Sequence, residues 1–457
     1  MPWTDDLLAN HAALSEVDVR FRDYALATPN CLDMDYLLKF GFQEPESVYY
    51  TGGLHPWPFF VGQEMRAELE RVTMGLSRLH RLIPERLFDN DPERIADYYG
   101  LDPLFAELLV EPPNGLDSAL SRADFVASSD GFQCLEFNFG SRLGGTETKY
   151  RHERYRQVPE WHEFFAREGL AWAHRDTVRE MFAHFFDEAL RLGLGREGTL
   201  NLGLLIDQPL LFGMDERFRR DFDAALRDSG LPLGGRLYVC WLHELREQNG
   251  ELRLGDLRLH GMVEMTVQGT HPSAYPLAAA GELVLFNGPI HLILAGKQNL
   301  ALLSEHQDSE RFTREERELL RAHLPWTRVV ERTEVRFDGR DWDLPTLLRQ
   351  RRSDLVLKSC RSLGGKEVAI GRASTDAEWQ AAIDTALAGD LWIVQEFVPS
   401  KGYLALSDAG VERHDLIWGP FAFGSRFGGN FLRLQPTRVG GAINASRTGS
   451  ATSMYEV

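Results

Sequence analysis

Between Arg122 and Gly145 the chain reads RADFVASSDGFQCLEFNFGSRLGG, and no other stretch constrains the fold as much. Ala123 to Ser128 and Phe132 to Phe139 are short runs of strand type, and Ser129-Asp130-Gly131 between them is turn chemistry, so a β-hairpin is expected. Glu136 and Asn138 are two residues apart and share a strand face. Arg122 and Asp124 share one by the same parity, and the hairpin can set Asp124 beside the other pair. Two carboxylates and an amide oxygen are hard donors of the kind Mg²⁺ takes, usually completed by substrate phosphates. Arg122 is then available to offset charge on a transferred phosphoryl group. A polar hairpin with one solvated face would read the same way. The continuation FNFGSRLGG favours the metal reading, because a glycine-rich turn lets backbone approach a ligand.

Two lysines stand in suggestive places. Lys297 opens the helical run KQNLALLSE, and Lys358 closes the run LVLKSC, where Leu355, Val356 and Leu357 read as buried. A flexible loop follows Lys358, with Arg361, Ser362, Leu363, Gly364, Gly365 and Lys366. A strand lysine ahead of such a loop can hold phosphates while loop amides close over the rest. Surface solvation is the commoner fate of any single lysine. Further on, LWIVQEFVP suits a hinge whose backbone around Gln395, Glu396, Phe397 and Val398 reads adenine, with Glu396 or a nearby acid reaching the ribose. An ordinary core strand has the same pattern.

At 457 residues the chain exceeds what one growing core accommodates, so two or three packed subdomains are expected. Residues 1–120 read as mainly helical, with Met65, Leu69, Val72, Leu76 and Leu79 at helical spacing between Gly62 and Ile83. Residues 121–199 carry the metal-type strands and further helices. From 200 to 305 strands alternate with helices, a Rossmann-like layer. Residues 306–457 hold the lysine strand, the glycine loop, the hinge strand and a strand-rich end. The fold class is therefore α/β (α+β).

Fifty Lys and Arg against 68 Asp and Glu give a net charge of −18, which disfavours a nucleic-acid surface. No apolar run approaches the roughly 18–20 residues of a membrane span, and MPWTDDLLANH lacks the basic and apolar regions of a leader, so a cytoplasmic location is expected. Cys31, Cys134, Cys240 and Cys360 are isolated, which argues against a disulfide framework or structural zinc. GxxxxGK[ST], HExxH and GxSxG are all missing from the sequence. GLHPWPFF suits a buried aromatic core better than a pocket. RHERYR, at 151–156, reads as a solvated helix face or an anion site. FGSRLGG at 139–145 and FGSRFGG at 423–429 read as two similar glycine turns.

Together, RADF, LEFNFGSRLGG, GKQNLALLSE, LVLKSCRSLGGKEVAIG, LWIVQEFVP and GGAINASRTGS resemble the circularly permuted ATP-grasp, glutathionylspermidine synthetase-like family, from about residue 120 onward. In that branch the acidic metal motif precedes the lysines, glycine loop and hinge, as here. The resemblance implies an ATP-grasp core in permuted order. It implies that Asp124, Glu136 and Asn138 bind Mg²⁺ and that Arg122 steadies the acyl phosphate and tetrahedral intermediate. Lys297 and Lys358 would bind ATP phosphates, Ser362 to Gly365 would close over them, and Gln395 to Val398 would frame adenine. The activity implied is amide formation between a small-molecule or peptide carboxylate and an amine. A phosphotransferase and an inert nucleotide-binding scaffold remain the alternatives.

Overall fold

The computed structural model describes residues 4–42, 53–110, 118–141, 143–146, 148–210, 213–266, 269–286, 291–360, 367–389, 391–443 and 449–457. The expected hairpin is present and longer than the alternation suggests, Leu120–Ser128 against Gly131–Phe139. Gly131 turns it with a φ of 95°, which only glycine adopts at little cost. Ser128 Oγ accepts from the Asp130 N–H at 3.1 Å and donates to the Gly131 carbonyl at 3.1 Å, closing the turn.

The hairpin does not stand alone. Leu120–Ser128 pairs antiparallel with Gly410–Phe423, which pairs in turn with Arg426–Pro436 and with Gly402–Ser407, and Ser450–Thr452 lies on the far edge. The glycine turn at 423–429 joins the two long strands, with Gly424 at a φ of 54°. Helices Gln63–Arg81 and Thr177–Arg191 pack on this six-stranded sheet. The first of them is the helix expected from spacing, and it buries Leu69, Val72, Leu76 and Leu79. Burial of each such side chain contributes about 1.5–3 kcal/mol.

Trp57, Phe59 and Phe60 are 0–1% exposed and join the same core as Phe125, Trp418 and Phe421. GLHPWPFF is thus core, and its strand Phe59–Val61 pairs in parallel with Met454–Glu456.

A second, parallel sheet runs in the order Val284–Leu285, Gly261–Met265, Leu202–Ile206, Leu237–Trp241. Helix Met214–Asp228 connects two of these strands and ends at Gly230, whose φ is 66°. This is the Rossmann-like layer expected from the alternation. Ser141, just past the hairpin, stitches the two sheets: its Oγ donates to the Glu264 carbonyl at 2.7 Å and accepts from the Glu264 N–H at 3.1 Å.

A third sheet is antiparallel, ordered Thr327–Val329, Trp392–Glu396, Leu355–Ser359, Val368–Ile370. It has its own core, in which Leu355, Leu357 and Val394 meet Trp379 and Ile383 of helix Asp376–Leu387. That helix starts with a capping box between Thr375 and Glu378. The four cysteines are free, and among the described residues no helix is long and apolar enough to cross a membrane.

Candidate active site

Arg122 lies directly opposite Asn138 and Asp124 directly opposite Glu136 in the hairpin register. Directly opposed residues of an antiparallel pair point to the same face, so the four side chains share one. Beyond Asp124 the register slips: Phe125 pairs with Cys134, leaving Leu135 as an extra residue, a β-bulge. The Leu135 carbonyl accepts from Lys358 Nζ at 2.7 Å, so the lysine strand of the third sheet is tied to the hairpin at its irregular point.

Four cations surround the two carboxylates. Arg122 Nε is 3.2 Å from Asp124 Oδ1, Arg433 Nη2 is 2.6 Å from the same oxygen, and Lys297 Nζ is 3.3 Å from Glu136 Oε1. Lys358 lies within electrostatic reach of Glu136, Asp124 and Lys297. All four cations are less than a tenth exposed, and buried charges of this kind require partners. The excess of two positive charges runs against the acidic balance of the whole chain.

The titration behaviour follows from that crowding. Burial alone would raise the Asp124 carboxyl, but Arg433 and Arg122 outweigh it and hold it below the usual range. Burial lowers the Arg122 guanidinium, with Asp124 opposing and Arg433 reinforcing the shift. Burial also pushes the Lys358 ammonium down to about 8, against the pull of Glu136. The Cys134 thiol is raised by burial, so it is no ready nucleophile.

Arg433 was not legible as a site residue from its strand, FLRLQP. The signal was there: a charged side chain inside an otherwise apolar run has to be paired. Its Nε is buried and finds no hydrogen-bond partner among the described residues. Both guanidiniums lie against the Phe431 ring, whose centre is 5.6 Å from Arg122 and 5.3 Å from Arg433. Arg122 also donates to the carbonyls of Leu143 and Gly144, which fixes its head against the turn that follows the hairpin.

No protein-family profile and no curated protein matches the chain. Among solved structures, a glutathione synthetase-like effector from Globodera pallida in its apo form matches at a TM-score of 0.51 and 11% identity, over 100% of this chain and 98% of that one. The chain has a glutathione synthetase-like fold. A structure named "Putative gamma-glutamylcysteine synthetase" from Methylobacillus flagellatus KT matches at a TM-score of 0.38 and 12% identity, over 80% of this chain and 83% of that one, too weak a likeness to build on.

Within this glutathione synthetase-like fold the remaining expected residues fall unevenly. Lys297 is the N-cap residue of helix Gln298–Glu305, and Lys358 lies on Leu355–Ser359. Gln395 is 1% exposed, and its amide points inward: Oε1 accepts from Lys358 Nζ at 2.6 Å, and Nε2 donates to Thr327 Oγ1 at 3.1 Å. Thr327 is therefore a further residue that sequence reasoning missed. The N–H groups of Glu396 and Phe397 already donate to the Trp326 carbonyl at 2.8 Å and the Asp354 carbonyl at 2.7 Å. The strand Trp392–Glu396 is central in its sheet, between Thr327–Val329 and Leu355–Ser359. The Glu396 side chain is exposed, Arg372 lies 3.7 Å over the Phe397 ring, and Val398 is half-buried just past the strand. Ser362, Leu363, Gly364, Gly365 and Lys366, with Arg361, lie outside the described residues.

Proposed function

We propose that the chain is an ATP- and Mg²⁺-dependent carboxylate–amine ligase with an ATP-grasp core in circularly permuted order, acting in the cytoplasm on a small-molecule or peptide acid and an amine. The observation that carries this reading is the hairpin face, where Asp124 and Glu136 are opposed and Arg122, Arg433, Lys297 and Lys358 converge on them. The sequence divisions 1–120, 121–199, 200–305 and 306–457 serve as its working parts.

The residues fit the groups the reading requires. Asp124, Glu136 and the Asn138 amide oxygen would be the donors for Mg²⁺, a hard ion that takes oxygen ligands. A surplus of buried cations and the unpartnered Arg433 Nε suit a polyphosphate. Bound Mg²⁺ would supply charge neutralisation on the phosphates. Lys297 and Lys358 would hold phosphate oxygens, the loop from Ser362 to Lys366 would cover them, and the segment from Gln395 to Val398 would flank the base.

In the reaction proposed, a substrate carboxylate oxygen bonds to the γ-phosphorus as the bond to ADP breaks, giving an acyl phosphate. The amine nitrogen then attacks the acyl carbon, the bond to phosphate breaks, and the amine proton leaves to solvent. Arg122 and Arg433 neutralise the negative groups that must approach each other, and their fixed positions spare reorganisation. No protein nucleophile is needed.

The test is ADP release with Mg-ATP across acids and amines, wild type beside Glu136→Ala, with mass analysis of products. Release that requires both an acid and an amine, a product one water lighter than their sum, and loss in the variant are expected. Equal turnover by Glu136→Ala would remove the metal assignment, and a stable phosphorylated product would replace ligase with phosphotransferase.

A further inference from the structure

The helix Pro92–Tyr99, in the N-terminal region, has both ends fixed. The Asp91 side chain caps it by accepting from the N–H groups of Glu93 at 2.9 Å and Arg94 at 3.2 Å, and Pro92 takes the first helical position. Gly100 closes it in the left-handed region, at a φ of 66°. Tyr99 is thereby held as its last residue. The Tyr99 ring packs against those of Phe88 and Tyr98, with centres 5.9 Å and 4.9 Å away. Burial raises its hydroxyl well above the usual phenol range, so it stays protonated and able to donate.

That hydroxyl donates to Asn299 Oδ1 at 2.6 Å, across 200 residues of chain. Asn299 is 1% exposed and lies in the first turn of helix Gln298–Glu305, just after its N-cap residue Lys297. Its Nδ2 donates to the carbonyls of Ile293 at 2.7 Å and Leu294 at 3.1 Å, at the end of helix His291–Leu294. Carbonyls at a helix end lack partners within the helix, and this amide supplies one. Turning the amide over would set its oxygen against both carbonyls, so Oδ1 needs a donor from elsewhere, and Tyr99 is that donor. Backbone bonds close the same turn, from the Gly296 N–H to the Ile293 carbonyl at 3.2 Å and from the Asn299 N–H to the Gly296 carbonyl at 3.1 Å. Lys297 rides on this turn, with its Nζ 3.3 Å from Glu136 Oε1.

We infer that Tyr99 is a positioning residue of the proposed ligase: through Asn299 it fixes the turn that carries Lys297, and so sets where that ammonium meets the nucleotide phosphates. This rests on the nucleotide reading of Lys297 given above. A lysine head is a point charge on a flexible stem, so its placement depends on the backbone that carries it. Tyr99 itself touches no reacting group, and its effect reaches the phosphates only through Lys297. A shift of about 1 Å in such a group, caused from a distance, is enough to cost a large factor in binding or rate. The N-terminal region thereby takes part in nucleotide binding.

Mg-ATP dissociation constants of the full chain test this, for wild type, Tyr99→Phe, Lys297→Met and the double variant Tyr99→Phe/Lys297→Met. Tyr99→Phe keeps the ring and should bind about fivefold more weakly, the scale of one lost hydrogen bond. In the Lys297→Met background the same change should have no further effect, which a general loss of stability would not produce. Asn299→Leu removes the linking amide and should weaken binding at least as much. Hydrogen exchange over residues 293–299 of the unliganded chain should speed up in Tyr99→Phe and in Asn299→Leu alike. Thermal midpoints show that each variant folds. Wild-type affinity in Tyr99→Phe, equal losses with and without Lys297, or unchanged exchange overturns the inference while the nucleotide reading stands. If wild type binds no Mg-ATP, or Lys297→Met binds it as tightly as wild type, the nucleotide reading of Lys297 fails and takes the inference with it.

Discussion

Arg433 makes its 2.6 Å ion pair with Asp124 from a strand that does not touch the strand of Asp124; Gly410–Phe423 lies between them. Gly419 on that middle strand makes room. A Cβ there would come 2.7 Å from the Phe431 carbonyl oxygen and 3.3 Å from Arg122 Cδ, so a side chain would disturb both the backbone of the Arg433 strand and the Arg122 stem.

Replacing Arg433 by Met keeps bulk and removes charge. Asp124 is then left with Arg122 against burial, and its carboxyl rises. The acid limb of Mg²⁺-dependent nucleotide binding should move to higher pH by about one unit, equal to ~1.4 kcal/mol. Stability follows the same sign. A carboxyl held low in the fold contributes stability present above its ordinary value of about 3.9 and lost as pH falls through the folded value. The urea midpoint of Arg433→Met should therefore trail wild type at neutral pH, with the gap narrowing in acid; a constant gap would mean that Arg433 acts by packing alone.

Lys358, pushed down to about 8 by burial, makes an opposite prediction at the alkaline end. Its folded value lies below the ordinary ~10.4, so the fold disfavours its charged form, and stability should rise as pH climbs between those values. Nucleotide affinity should do the reverse and fall above about 8, as the ammonium is lost. Gln395→Leu removes an acceptor 2.6 Å from that ammonium, so the fall should begin at lower pH. Lys358→Arg should flatten it, since a guanidinium stays charged. Dissociation constants of a fluorescent ATP analogue measured from neutral to alkaline pH decide it, and an unchanged profile in Gln395→Leu would show that the amide does not hold the charge.

Two adjacent glycines separate backbone strain from crowding. Gly144 and Gly145 take φ of 65° and 83°. A Cβ on Gly144 meets only Arg122 Nη1, at 3.9 Å, whereas one on Gly145 overlaps the Phe431 ring. Gly144→Ala should cost about 1–2 kcal/mol in urea unfolding, the price of the left-handed conformation. Gly145→Ala should cost ~1–3 kcal/mol more and lower turnover, because it displaces the Phe431 ring against which both arginines lie. Equal losses would argue that the ring moves freely.

How far the sequence could be read depended on the range of the interaction. Helix Gln63–Arg81 and the opposition of Asp124 to Glu136 are local, written in spacing and in a turn, and both were legible. The bulge at Leu135 was not, because nothing in LEFN marks which residue drops out of register. Nor was the pairing of Phe125 with Trp418, since an alternating strand carries no address for its partner. Arg433 was hidden for that reason, and so was the inward turn of Gln395: a glutamine in LWIVQEFVP reads as the end of a buried run until Lys358 is set beside it.

The pairing of Leu120–Ser128 with Gly410–Phe423 also carries a consequence for the making of the protein. A ribosome delivers the hairpin early and the strand that completes its sheet near the end, with the parallel sheet and the lysine strand emerging in between. Until then the hairpin has an open edge, Arg433 does not yet exist, and Asp124 has no second cation. Contacts of such long range form late and leave intermediates exposed. Nascent chains stalled before residue 410 should therefore occupy chaperones and lack the Asp124–Arg433 pair, however well their earlier helices have folded.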